Sequence, residues 1–476
     1  MRNVAKMVTG RLATQVVMLV SAVVIPRTLG AEGYGLFAAV LAMISILQTA
    51  SAFGMPLVEA RFLAPLWQQG DRDEARRLGS TIWAFRAGLS ALGTLALGAW
   101  LLGSRDLGLA AGAALLVVAL ALTRFVAEAS KSLLLPVGRV GTLATLDFLR
   151  ALGTLPVVVV LFPGFGIPGV FAGLLALQAG LLIASAGALR RETGFDPRAP
   201  HWSTLRPHLG FGAASFVGGV AGMFQAQFAI YAVAAWVDHE QAGYLGLAVQ
   251  LYAVLQVFYL AVRRSLMPIF SELEASGESQ RLADWGGMLL RYSVAPVAFV
   301  TVLWVLVGGD LLELLLGSEF APVHACATWI LVAVMGFCAA GTCNGLLYVR
   351  ERPRVAAANS VVYAAVTTLG LWVVLGADST DAALRIARVY AAAAGVFFVV
   401  AWAALGLVGG LRVAVARGLV LAAPALALAS ADLSGLGLFE RGAAAAALSL
   451  ALPGLAIATG LLPPKELREI LRRVRA

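Results

Sequence analysis

Long, unbroken apolar runs constrain this chain more than any single motif does. About fourteen of them approach the ~20 residues that an α-helix needs to cross the hydrocarbon core of a bilayer. They lie near 8–26, 36–58, 79–102, 108–127, 142–162, 168–189, 210–236, 243–267, 287–308, 322–348, 355–376, 385–408, 414–431 and 442–462. A membrane barrel would instead show short strands that alternate apolar and polar residues. The runs therefore predict an all-α integral membrane protein with about fourteen transmembrane helices. Composition points the same way: only 13% of the residues are charged, too few to cover a water-facing surface.

Arginines and lysines concentrate in alternate connections. Arg2, Lys6 and Arg11 precede the first run, and Arg61, Arg72, Arg76 and Arg77 follow the second. Lys131 and Arg139, then Arg190, Arg191, Arg198 and Arg206, follow the fourth and sixth. The pattern continues with Arg263, Arg264 and Arg281, with Arg350, Arg352 and Arg354, and with Arg412 and Arg417. The intervening connections hold only Arg27, Arg105, Arg385 or Arg388, and Arg441. Basic connections stay in the cytoplasm, which predicts that both termini are cytoplasmic. The net charge of +9 is then this topological bias and not a nucleic-acid surface.

No connection is longer than about twenty residues, which leaves no room for a soluble catalytic domain; the chain is not expected to be an enzyme. Cys326, Cys338 and Cys343 share one apolar run, and His201, His208, His239 and His324 are scattered over loops and loop edges. Neither set has metal-ligand or disulfide-framework spacing, so no metal or cofactor is expected. In the tail 464–476, Leu467, Ile470, Leu471 and Val474 share one helical face with arginines opposite, the pattern of a helix lying on a membrane surface.

The chain repeats itself. R-F-L-A-P-L begins at Arg61 and R-S-L-M-P-I at Arg264, each followed by a polar segment with one glycine: WQQGDRDEARRL and SELEASGESQRL. An arginine then sits early in the next run, Arg86 or Arg291, and Gly33-Tyr34 corresponds to Gly243-Tyr244. Six runs make one copy, and because six is even the copies share one orientation, a parallel repeat about the membrane normal. This predicts a lobe over 1–207, a second over 208–410, two additional transmembrane helices over 411–463, and the amphipathic tail.

The stretch I-P-R-T-L-G-A-E-G-Y-G-L-F at 25–37, with L-P-V-G-R at 135–139 and Gly166-Ile167-Pro168-Gly169, resembles the polysaccharide transporter family. These are lipid-linked oligosaccharide flippases of the O-antigen type, in the multidrug/oligosaccharidyl-lipid/polysaccharide exporter (MOP) superfamily. The second copy, W-V-D-H-E-Q-A-G-Y-L-G, lacks the arginine. The resemblance implies a MATE-like fold in a bacterial cytoplasmic membrane. It implies translocation of an undecaprenyl-diphosphate-linked oligosaccharide to the outer leaflet, by alternating access through a central cationic cavity. It leaves coupling to a proton or sodium gradient open, and it suggests a polysaccharide polymerase and chain-length proteins as partners beside the membrane lipids.

A diphosphate cannot cross hydrocarbon without a cationic path, and the planar fork of arginine matches phosphate oxygens. An arginine inside the bilayer is costly and faces a cavity or a partner, or snorkels to the head groups. Arg86 and Arg291 fit either description. In the eighth run Tyr252, Gln256, Tyr259 and Arg263 recur at helical spacing and suit a sugar-and-phosphate path, or helix-to-helix hydrogen bonding. Arg11, Gln15, Gln48 and Gln225 are further lining candidates. Asp147 and Arg150, three residues apart, are read first as a mutually neutralising pair, and Asp147 as a coupling-ion site if unpaired. Arg27 reads first as an interfacial turn arginine beside Gly30, Gly33 and Tyr34, and alternatively as an outer gate. The rival within the superfamily is a cation-coupled multidrug antiporter, which needs buried acids. The peptidoglycan lipid flippases are disfavoured, because Ser21 and Ala22 stand where that family has an Arg-Asp pair.

Overall fold

The computed structural model describes residues 2–104, 107–350 apart from 197 and 199, 352–376, 381–406, 423–430, 441 and 444. These residues form helices and turns, with no strand among them. The helices are α1 (Arg2–Ala52), α2 (Met55–Val58), α3 (Ala64–Gln69), α4 (Arg72–Ser104), α5 (Ala111–Ser132), α6 (Val140–Thr193) and α7 (Trp202–Leu205). They continue with α8 (Leu209–Trp236), α9 (His239–Ala275), α10 (Ser279–Leu316), α11 (Pro322–Val349), α12 (Pro353–Leu375), α13 (Ala382–Gly406) and α14 (Ala423–Ser430).

Eight of the described helices are long and apolar enough to cross a membrane. Two of these eight each carry two expected spans. The α1 helix is broken at Gly30, whose φ of 71° and ψ of 173° leave the helical region, and α6 at Gly166, with φ 60° and ψ −158°. A side chain at either position would strain a backbone that glycine adopts freely. The expected loop at 25–35 is thus one non-helical residue between two helices. Only Gly30 of its three glycines has a positive φ. The first twelve expected spans lie on α1, α4 to α6 and α8 to α13. Of the thirteenth, 423–430 is described; the fourteenth, apart from residue 444, and the tail lie outside the described residues.

Gly35 serves a different purpose from Gly30. A Cβ there would sit 1.6 Å from the carbonyl oxygen of His239, and a Cβ on Gly243 would sit 2.4 Å from that of Ala31. The two repeat-related segments therefore meet backbone to backbone, which only residues without a side chain permit.

The chain divides into two compact units, Met1–Gly243 and Tyr244–Ala476. In the first, α1 packs on α6 and α8, and α5 on α4 and α6. α8, where the expected second lobe begins, thus packs inside this unit. Its basic end holds an apolar core of Met55, Val58, Leu63, Ile82, Trp83 and Leu133. In the second unit α11 is central, packed by α10 and α13, and buried along most of its length. Cys326, Cys338 and Cys343 are buried, unbonded side chains of this helix. Asn359 donates to Asn344 at 2.9 Å inside the same unit, so the polar groups on the facing helices satisfy each other.

Candidate functional site

The chain leaves α2 through a π turn, Glu59–Leu63, a one-turn irregularity frequent at functional sites. Its first residue, Glu59, points into the apolar core and is 1% exposed. Arg86, nearly halfway along α4, meets it there. Nη1 of Arg86 donates to Oε1 of Glu59 at 2.9 Å, and the Ser132 hydroxyl at the end of α5 donates to the same oxygen at 3.2 Å. Arg86 Nη1 also contacts Ser132 Oγ. The Nε of Arg86 is buried without a hydrogen-bond partner among the described residues. Burial pushes the Glu59 carboxyl up from its ordinary value, while Arg86 and Ser132 pull it back down.

A second charged group lies on α5 and α6. Arg124, Glu128 and Lys131 fall at i, i+4 and i+7, one face of α5. Lys131 Nζ lies 2.7 Å from Glu128 and 2.8 Å from Asp147 on α6. Arg150 lies 3.8 Å from Glu128 and 4.0 Å from Asp147. Arg124 has no ion pair among the described residues; its Nε donates instead to the neutral Oε1 of Gln48 on α1 at 2.9 Å. The unit thus gathers four cations (Arg86, Arg124, Lys131, Arg150) and three carboxylates (Glu59, Glu128, Asp147), a net charge of +1 with the surplus formally on Arg124. A cation held within a spanning helix by a neutral partner keeps its attraction for an incoming anion.

Sequence reasoning placed Arg86, Gln48, Asp147 and Arg150 among the candidates, and the structure gives each a polar partner in this unit. It did not single out Arg124 as a site, although an arginine inside the apolar run 108–127 is itself a signal. Lys131 was read only as a topology residue, yet it lies closer to Asp147 than Arg150 does. The expected Asp147–Arg150 pair is therefore one edge of a larger network.

The other candidates are distributed. Gln15 and Arg27 are exposed and Tyr34 is buried on α1. Gly33 lies beyond the break at Gly30, inside the second half of the helix. In the second unit, Tyr259 is fully buried, and its hydroxyl lies so close to Gly341 that a Cβ there would be 2.4 Å away. Arg263, one turn further along α9, is half-buried, as is Arg291 on α10. The side chains of Arg11, Gln225, Tyr252 and Gln256 lie outside the described residues. Among the described residues no cluster of acids, histidines and cysteines is fit to hold a metal ion.

Residues 1–274 match the sequence model of a family described as polysaccharide biosynthesis protein. Comparison with curated proteins gives no match. Among solved structures, the chain is similar to the lipid II flippase MurJ in its inward closed conformation. That likeness has a TM-score of 0.68 at 11% identity and covers 94% of this chain and 100% of that one. It is also similar to an inward-facing multidrug resistance MATE family transporter of the MOP superfamily, with a TM-score of 0.61, 14% identity, and coverage of 84% and 95%. A mutant of the Vibrio cholerae MATE transporter VcmN gives 0.57, 16%, 88% and 95%. At such identities the likeness establishes the fold, which is the expected MATE-like all-α membrane architecture.

Proposed function

The chain belongs to the polysaccharide biosynthesis protein family, and from that premise we propose that it is a flippase for a diphosphate-linked oligosaccharide lipid. It is a membrane transport protein and not an enzyme. The cargo would move from the cytoplasmic to the outer leaflet of a bacterial cytoplasmic membrane, with both termini on the cytoplasmic side. The observation that carries the reading is Arg124, a cation on a spanning helix whose described partner is the neutral Gln48. A diphosphate esterified at both ends brings two negative charges, and a surplus of cations over acids favours it. The fork of arginine then binds two oxygens at once. An organic-cation antiporter wants the reverse balance, acids in surplus. Proton or sodium coupling would act through the carboxylates of the same network, Glu59, Glu128 and Asp147. A polymerase and chain-length proteins would receive the flipped lipid.

The test is depletion of the protein followed by lipid extraction. The expected result is a diphosphate-linked oligosaccharide that builds up on the inner face, shielded from an added glycosidase. Wild-type protein clears it, and Arg124→Ala and Arg86→Ala do not. If no such lipid builds up and cells become sensitive to cationic dyes, the antiporter reading replaces this one.

A further inference from the structure

The second unit contains a cavity of about 380 Å³ between the end of α10, the starts of α11 and α13, and α14. It lies at the opposite end of α11 from the basic stretch Arg350–Arg354. Its lining joins two guanidinium groups, Arg388 and Arg441, to apolar walls that include Leu384, Leu428 and the ring of Trp329. The volume falls in the range of small-molecule sites.

The charges do not cancel. Arg441 lies 3.5 Å from Asp310. Arg388 is exposed and forms no ion pair among the described residues; its guanidinium carbon lies 5.8 Å from the centre of the Trp329 ring. Among the described residues that line the cavity or form an ion pair with its lining, two arginines face one aspartate. His324, on the same wall, is fixed and already engaged. Its Nε2 donates to the Trp304 carbonyl at 3.0 Å, and the Trp304 indole donates to the His324 carbonyl at 3.2 Å. Arg388 forms no ion pair among the described residues, and Arg441, though paired with Asp310, keeps a buried Nε that has no hydrogen-bond partner among them; Trp329 holds Arg388 against an apolar wall.

We propose that this cavity is a binding site for the phosphate ester of a lipid, with the phosphate on Arg388 and Arg441 and the first carbons of the lipid against Leu384 and Leu428. Guanidinium forks match phosphate oxygens bidentately, and the apolar wall excludes a free inorganic ion as the best fit. The site is separate from the charged network of the first unit, and it stands whether or not an oligosaccharide is the cargo. Two lipids share this chemistry: a membrane phospholipid and a polyprenyl diphosphate.

The experiment uses the full chain in neutral-lipid nanodiscs and reads binding of two probes, dihexanoyl phosphatidic acid and geranylgeranyl diphosphate. Arg388→Gln and Arg441→Gln should each weaken binding about tenfold, the loss of one charge-assisted contact. Arg388→Lys should recover part of it, and Arg385→Gln, one turn away and outside the lining, should bind as wild type does. Preference for the phosphatidic acid identifies a structural phospholipid; preference for the diphosphate identifies a station for a polyprenyl carrier. Equal binding of both probes by wild type, Arg388→Gln and Arg441→Gln, with unchanged melting temperatures, overturns the proposal. Loss of binding with normal transport, or the reverse, separates this site from the flippase reading.

Discussion

Arg86 and Glu59 form an ion pair at 2.9 Å with side chains only 5% and 2% exposed. Removing one member of such a pair leaves the other charged and stripped of water, and typically costs about 3–5 kcal/mol. Arg86→Gln and Glu59→Gln are each expected to destabilise the purified protein on that scale. The double variant should cost less than the sum by about 2 kcal/mol, since contacting residues do not add. A double-mutant cycle of unfolding in detergent measures this, and strict additivity would show that the two side chains act independently.

The surplus charge at Arg124 gives a different kind of test. Gln48→Glu leaves every cation in place and turns the neutral partner into an anion, so the network falls from +1 to zero. Transport should drop at least tenfold while stability changes by no more than about 1 kcal/mol, the scale of an exposed to half-buried pair. A leaflet-specific assay of the lipid cargo beside a melting curve separates the two effects. Unimpaired transport in Gln48→Glu would remove Arg124 from the site.

Lys131 and Asp147 should differ in what they support. Lys131 is 12% exposed and lies between two carboxylates, whereas Asp147 is 37% exposed. Lys131→Met leaves Glu128 and Asp147 facing Arg150 alone, and a loss of about 3 kcal/mol is expected. Asp147→Asn, closer to solvent, should cost about 1 kcal/mol or less. Comparison of their unfolding midpoints checks the order.

The glycine contacts predict a sharp contrast within one residue type. Gly35→Ala would put a methyl carbon 1.6 Å from the His239 carbonyl, so the two backbones must part, and a loss of about 3 kcal/mol or more is expected. Gly88→Ala in α4 meets nothing within 4 Å and should gain about 0.5–1 kcal/mol from helix propensity. Expression level and melting temperature of the two variants report the difference.

The span pattern was legible because apolar length is a local property; the breaks at Gly30 and Gly166 were not, since each glycine stood in a motif beside others that stay helical. Sequence reasoning could not tell that Gly35 and Gly243 spare the same contact, because that requires knowing that two segments some two hundred residues apart approach each other. The Asp147–Arg150 pair was legible from its spacing on one helix. Lys131 as the nearer partner was not, since it arrives from α5. The burial of Glu59 depends on the π turn, which no residue pattern announces. Arg124 stood in plain view within an apolar run; what sequence could not supply was Gln48 opposite it, from α1.

That π turn also has a consequence for chain length. A π turn carries one residue more than the α-helix it interrupts. The extra residue is taken up within one wide turn, so the helices before and after it keep nearly the faces they would have in an unbroken helix. Deleting one residue from 59–63 would close the turn to a regular helix and leave Met55 and Val58 facing the core. What the deletion would change is the residue that stands opposite Arg86. Among sequences built on this plan, a one-residue gap is expected at these five positions wherever the buried acid is absent.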